Sequence, residues 1–249
     1  MPEAQAVAMQ AERPRMGEIR RVLTILFWEP GAGFADVARR PICWVPILLV
    51  VMCAMTYMYL VSQRIGWEQV VRTGAAASEQ FQNMPAVDRE RVIAQQSKFV
   101  GIFAYAAAAV GTPISSLVVA GVVMLLFTVF LGGQARFGQL FGVVSYAQLP
   151  HIISMAISSV VLHLKAPADF DMQNPLALNV GFYLPESLPK WVVGIGSSID
   201  LFSFWIIALI VIGLRATDPK ASRSTALISI LAPWALYVFG KAAWSALMS

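Results

Sequence analysis

Residues 99–131 read FVGIFAYAAAAVGTPISSLVVAGVVMLLFTVFL, 33 consecutive positions without a charge. As one α-helix this run is about 50 Å long, against a bilayer hydrocarbon core of about 30 Å. It is too short for two spans, because a cut at Gly111-Thr112-Pro113 leaves a first piece of only 12 residues. The run therefore reads as one span from about Pro113 onward, preceded by a helix over 85–110 that begins in water and slides into the membrane interface. Its opening, Met84-Pro85-Ala86-Val87-Asp88-Arg89-Glu90, places a proline early and acids in the first turn, as a helix N-terminus prefers.

Four further runs of similar character lie outside it, at about 44–62, 139–162, 191–214 and 224–247. The expected fold is all-α: a polytopic transmembrane helical bundle of five spans, with short N-terminal interfacial amphipathic helices. Composition agrees, since 58% of the 249 residues are hydrophobic and 13% are charged, where a soluble domain carries about a quarter. An ordinary soluble enzyme is excluded. The net charge of +4 does not point to nucleic acid, because the Lys and Arg residues flank the apolar runs. Their natural partners are the bilayer and its anionic lipids at the cytoplasmic face.

Orientation follows from the Lys and Arg count on each side. Arg13, Arg15, Arg20, Arg21, Arg39, Arg40, Arg136, Arg215, Lys220 and Arg223 make ten on the side of the N-terminus. Arg64, Arg72, Arg89, Arg91, Lys98, Lys165 and Lys190 make seven on the other, with Lys241 inside the last span. The expectation is a bacterial cytoplasmic (inner) membrane protein with its N-terminus cytoplasmic and its C-terminus outside. Trp44, Trp191 and Trp244 at span ends fit an interfacial aromatic belt.

The N-terminal region carries Arg20-Arg21 before the apolar stretch 22–28, in the manner of an export signal. Glu29-Pro30-Gly31 then interrupts the stretch and no small-residue cleavage site follows closely, so a cleaved signal is not expected. Residues 1–15 are expected to be disordered, followed by helices at about 16–28 and 33–39. Ile19, Val22, Leu23, Leu26 and Phe27 would either lie in the headgroup boundary or pack on the cytoplasmic ends of the spans. The loop 165–190 reads as an irregular outer loop. Its Asp169-x-Asp171-x-Gln173 lacks the glycine and final glutamate of a calcium loop. Cys43 and Cys53, ten residues apart on one helix, are too distant for a disulfide and read as packing residues.

Ionisable groups inside a span are functional-site candidates, because hydrocarbon makes an unpaired charge costly. His151, Asp200 and Lys241 are the three cases, at about 18, 22 and 28 Å from the cytoplasmic ends of their spans. Thr112, Ser115 and Ser116 reach similar depths beside Pro113, and Pro150 stands next to His151; both prolines free backbone carbonyls as helix breaks. Two readings follow. Asp200 and Lys241 form a structural ion pair while His151 bonds a freed carbonyl or hydroxyl, or broken helices and charges together enclose a polar cavity for a substrate or proton. Gly138-x-x-x-Gly142 opens the third span and favours close helix packing, within the chain or in a homo-oligomer. Trp205 and Trp234 are expected to stack in the final hairpin. No hydrolase, metalloprotease or phosphate-loop motif is present, so the chain reads as non-enzymatic, without cofactor or metal.

The ordered motifs carry a resemblance. Trp28-Glu29-Pro30-Gly31-Ala32-Gly33-Phe34 precedes a span entered through Arg39-Arg40-Pro41. Gly132-Gly133, Phe137-Gly138-Gln139-Leu140-Phe141, Ser145-Tyr146-Ala147-Gln148-Leu149-Pro150, Asp200-Leu201-Phe202-Ser203-Phe204-Trp205 and Ile212-Gly213-Leu214 follow in order. From Gly17 onward the chain resembles the Ypt-interacting-protein (Yip) domain family, in a bacterial version. The resemblance implies five spans and a cytoplasmic N-terminus. Eukaryotic members associate with Rab-type small GTPases and with one another; this chain's short N-terminal region has nothing that reads as a GTPase-binding domain, so that partnership is not carried over. The function expected is a membrane-organising or partner-binding scaffold whose partners are lipids, further copies or other membrane proteins. The alternative is a small transporter or lipid-handling protein using the intramembrane polar residues.

Overall fold

The computed structural model describes residues 16–75, 79–172, 174–185 and 187–247; the N-terminal segment expected to be disordered lies outside them. The elements are helical. α1 (Glu18–Leu23) widens into a π-helical turn (Thr24–Trp28), and α2 (Pro30–Arg39) starts on Pro30, where a missing N–H costs nothing. Then come α3 (Trp44–Arg64), α4 (Trp67–Ala75), α5 (Glu79–Gln82) and α6 (Ala86–Met124), which ends in a second π-helical turn (Leu125–Phe130). α7 (Phe137–Ala147) and α8 (Pro150–Leu164) follow, then α9 (Lys190–Ser198), α10 (Leu201–Thr217) and α11 (Arg223–Leu247).

α7 is the axis of the bundle. Leu140 and every residue from Gly142 to Ala147 are buried, and a helix apolar all round has to be enclosed by others. α2, α6 and α10 enclose it, and their Phe34, Val37, Val123, Phe127, Ile210 and Leu214 form one core with Leu140 and Val143. Two glycines permit close approaches of α2 and α10 to α7. A Cβ on Gly142 would lie 3.0 Å from Val37 and 3.5 Å from Pro41, and one on Gly213 would collide with Val143. α3, α6 and α11 lie outermost, with Leu48, Met52, Ile114, Val118, Leu236 and Phe239 exposed. A second, smaller core of Tyr57, Val61, Leu162 and Phe170 closes the end away from α1 and α2.

Four helical stretches are long and apolar enough to cross a membrane: Trp44–Arg64, Ala86–Phe130, Phe137–Leu164 and Arg223–Leu247. The remaining expected span, 191–214, is divided. α9 ends at Ser198, the chain bends at Ile199 and is extended at Asp200, and α10 begins afresh at Leu201. The expected break at Pro113 is absent: α6 runs through it, and the water-to-interface helix and the span are one helix of 45 residues. One missing N–H costs a single backbone bond, and the turns on either side stay intact. Pro150 does mark a break, since α7 stops at Ala147 and Pro150 opens α8.

Candidate functional site

The most connected polar site sits where α1 and α2 dock on α7, and none of its central residues was singled out in the sequence as a site. Glu18, Arg21 and Ile25 share one face of α1, being three and four residues apart. That face turns inward, so Arg21 is fully buried beside Ile25 while Ile19 and Trp28 stay largely exposed. A charged pair on the inward face, with large apolar side chains left outside, departs from the pattern of a soluble surface helix.

All three guanidinium nitrogens of Arg21 are engaged. Its Nε and Nη2 donate to Asp36 Oδ2 at 2.9 and 2.5 Å, and its Nη1 donates to Glu18 Oε1 at 2.8 Å and to the Tyr146 hydroxyl at 3.1 Å. Tyr146 in turn donates to Glu18 Oε2 at 2.7 Å. The Arg21 guanidinium also lies 5.7 Å from the centroid of the Tyr146 ring, within range of a cation–π attraction. Asp36, one helical turn before Arg40, accepts from its Nη2 at 3.1 Å, with Arg39 Nη2 at 3.7 Å.

Burial would push the Asp36 carboxyl up, but the hydrogen bonds and charges of Arg21 and Arg40 outweigh it and hold it below the usual carboxylate value. Burial likewise opposes the Arg21 charge, yet the bonds to Tyr146 and Asp36 make the guanidinium hold its proton more firmly than in water. Glu18 and Asp36 offset Arg21 and Arg40, with Arg39 at the edge. The site is an ionic clamp joining three chain segments, and it offers no unengaged nucleophile.

The residues anticipated from the sequence lie elsewhere. Asp200 is the N-cap of α10: its Oδ1 accepts from Phe202 N at 2.9 Å and Ser203 N at 3.0 Å, and its Oδ2 accepts from the Ser203 hydroxyl. A short antiparallel bridge to the preceding loop fixes the extended backbone there, with Val180 N on Ile199 O at 3.1 Å and Leu201 N on Leu178 O at 3.1 Å. Lys241 does not pair with Asp200; its Nζ lies 3.5 Å from the Gly194 carbonyl of α9. His151 is exposed at the α7–α8 break.

Ser115 Oγ donates to Thr112 O at 3.1 Å, and the buried Ser116 hydroxyl has no partner. No hydrogen bond among the described residues joins Thr112, Ser115 or Ser116 to His151, Asp200 or Lys241. Gly138 and Gly142 face Pro41 and Val37 of the same chain. Trp205 stacks on Phe202 and Trp234 leans on Phe204, so the expected Trp205–Trp234 stack does not form. No cluster of three or more potential metal ligands occurs among the described residues.

An all-helical bundle with four apolar helices of spanning length, closed at one end by two helices clamped through buried ions, defines an integral membrane protein. The Yip1 domain family model matches residues 25–243, so the chain belongs to that family. No curated protein and no solved structure matches it. The matched range contains Asp36, Arg40 and Tyr146, which gives the Ser145-Tyr146-Ala147 motif a physical role: it carries the hydroxyl on which the N-terminal helix docks.

Proposed function

We propose that the chain is a non-enzymatic scaffold of the bacterial cytoplasmic membrane, which holds a rigid N-terminal cap against the bundle and presents it to membrane-protein partners or further copies. The observation that carries this reading is the orientation of α1. Arg21 and Glu18 are committed inside, while Ile19, Phe27 and Trp28 face out, and exposed apolar side chains on a docked helix call for a cover.

The topology fits five crossings, with α9 and α10 together as the divided fourth. Pro41 before α3 lies against Gly142 of α7, Gln139 donates to Ala38 O at 2.8 Å, and Asp218 after α10 accepts from Gln134 N at 2.8 Å. The chain thus returns to the α1–α2 end before α7 and before α11. That end carries the larger Lys and Arg count, which makes it cytoplasmic and puts the C-terminus outside. Transport by the polar residues is the weaker reading, because Asp200 is engaged by backbone N–H groups of α10 and Lys241 faces a carbonyl.

Photo-crosslinking residues placed at Ile19, Phe27 and Trp28 of the full chain in native membranes test the scaffold. A discrete crosslinked membrane protein or second copy, still formed by Asp200→Asn, is the expected result. Crosslinks to lipid alone, or a proton leak through proteoliposomes that Asp200→Asn abolishes, would overturn it.

A further inference from the structure

A cavity of about 960 Å³ opens between α2, the last turns of α10 and the start of α11, at the same end of the bundle as the clamp. Three arginines from three helices line it: Arg39, Arg215 and Arg223. Glu29 is the acid among the lining residues, so the wall carries a net charge of +2, three minus one. Arg39 leans on Asp36 at 3.7 Å and is about half exposed. Arg215 is the telling group, because its Nε is buried and hydrogen-bonded to nothing. A buried guanidinium N–H without an acceptor costs free energy, and an anion that draws the Arg215 guanidinium towards the cavity would relieve it.

Apart from Gln139 and Thr217 the rest of the wall is apolar, with Ile212 and Leu227 among its members, and Leu227 is also exposed on the outside of α11. A site with guanidinium forks above and hydrocarbon below matches one chemistry: a phosphodiester carrying glycerol and acyl chains. Arginine recognises phosphate through paired N–H bonds, and basic pockets between spans on the cytoplasmic side bind anionic headgroups. We propose that this cavity is a binding site for one anionic phospholipid, its phosphate held by Arg215 and Arg223 with Arg39 at the rim, and its first methylenes against Ile212 and Leu227. The site goes beyond the scaffold role and does not require it. Binding by purified protein in detergent is independent of orientation and of any protein partner, so the two proposals fail separately.

The test is native mass spectrometry of the full-length protein titrated with phosphatidylglycerol, phosphatidylcholine or inorganic phosphate. One phosphatidylglycerol should be retained per chain in preference to phosphatidylcholine. The Arg215→Gln/Arg223→Gln double variant should weaken it about tenfold, while Arg64→Gln at the opposite end leaves it unchanged. Arg215→Lys/Arg223→Lys keeps the charge without the fork and should fall between the two. It also keeps the proposal testable should the neutral variant misfold. Equal phosphatidylglycerol binding by the wild type and a folded neutral variant would overturn the site. Displacement of the lipid by inorganic phosphate at millimolar concentration would assign the arginines to a free anion and overturn the lipid source.

Discussion

At the end of the bundle where α1 and α2 dock, polar groups find partners far along the chain: Arg21 bonds Asp36 fifteen residues away and Tyr146 at a separation of 125. At the opposite end the reach is mostly short. Asp200 is satisfied by Phe202 and Ser203, and His163 Nδ1 lies 2.8 Å from Ser159 O. The first arrangement holds tertiary structure together, because its Arg21–Asp36, Arg21–Tyr146 and Tyr146–Glu18 bonds each span two elements. The second mainly finishes individual helices, and its links between elements, Ser62–Tyr105, Arg72–Glu90 and Lys241–Gly194, are single pairs rather than a network. The difference predicts unequal consequences when each is cut.

The largest effect is expected from Arg21→Ala. It leaves Asp36 and Glu18 without their central cation in a buried site, a kind of loss that costs about 3–5 kcal/mol. Hydrogen exchange of the full chain in detergent should then show α1 and α2 losing protection while α8 and α11 keep theirs. The double replacement Arg21→Met/Asp36→Leu removes both charges together and should recover most of that stability, since a buried pair can be exchanged for packing. Uniform loss across the bundle in both variants would break the distinction between the two ends.

Acid should act at the same end. Asp36 binds protons less readily in the folded chain than in the unfolded one, so the unfolded chain takes up more protons as the pH drops. The stabilisation from Asp36 is therefore fully present above its unfolded value of 3.8 and disappears as the pH falls through its lower folded value. Protease accessibility of α1 should stay constant from neutral pH to about 4 and rise below it. An Asp36→Asn chain should be accessible throughout, without that acid step.

Packing provides a subtler comparison. Gly213→Ala puts a methyl group onto Val143 and close to Phe34, where α2, α7 and α10 meet. Overpacking of this kind costs about 1–3 kcal/mol. Gly194→Ala, on α9, meets nothing within 4 Å and should be neutral or stabilising by about 0.5–1 kcal/mol through helix propensity. Thermal unfolding of the two variants in the same detergent measures the contrast.

The helices were legible because apolar runs of spanning length need no partner to be recognised. The division of the expected fourth span into two helices was hidden for a local reason: Gly194, Gly196 and the serines 197 and 198 continue an uncharged run, so Asp200 reads as a charge inside a helix. An aspartate followed by Leu201-Phe202-Ser203 is also an N-cap signature, and that signal was available. The continuity of α6 through Pro113 depends on neighbouring turns that composition does not encode. The clamp was not readable at all. Arg21 looks like one of six basic residues before the first span, and Asp36 looks like a surface acid of a short helix. Only the fold brings both to a tyrosine on the central helix. Tyr146 did stand within a motif carrying the family resemblance, but a phenol in an apolar span does not announce its partner.

Lys241 should give the smallest effect and the sharpest test of the opposite end. It stands about 27 Å along α11 from Arg223, its side chain is exposed, and its bond to the Gly194 carbonyl is 3.5 Å long, at the weak limit of a hydrogen bond. Lys241→Gln keeps a donor of similar reach and should change stability by no more than about 0.5 kcal/mol. Asp200→Asn keeps an oxygen for the cap and should cost a similar amount, whereas Asp200→Ala should cost about 1 kcal/mol. If the two residues act separately, the double variant Asp200→Asn/Lys241→Gln will equal the sum of the singles within about 0.5 kcal/mol. A coupling several times larger would mean that the charges join in the bilayer, and the opposite end would then hold a buried ion pair of the same kind as the clamp.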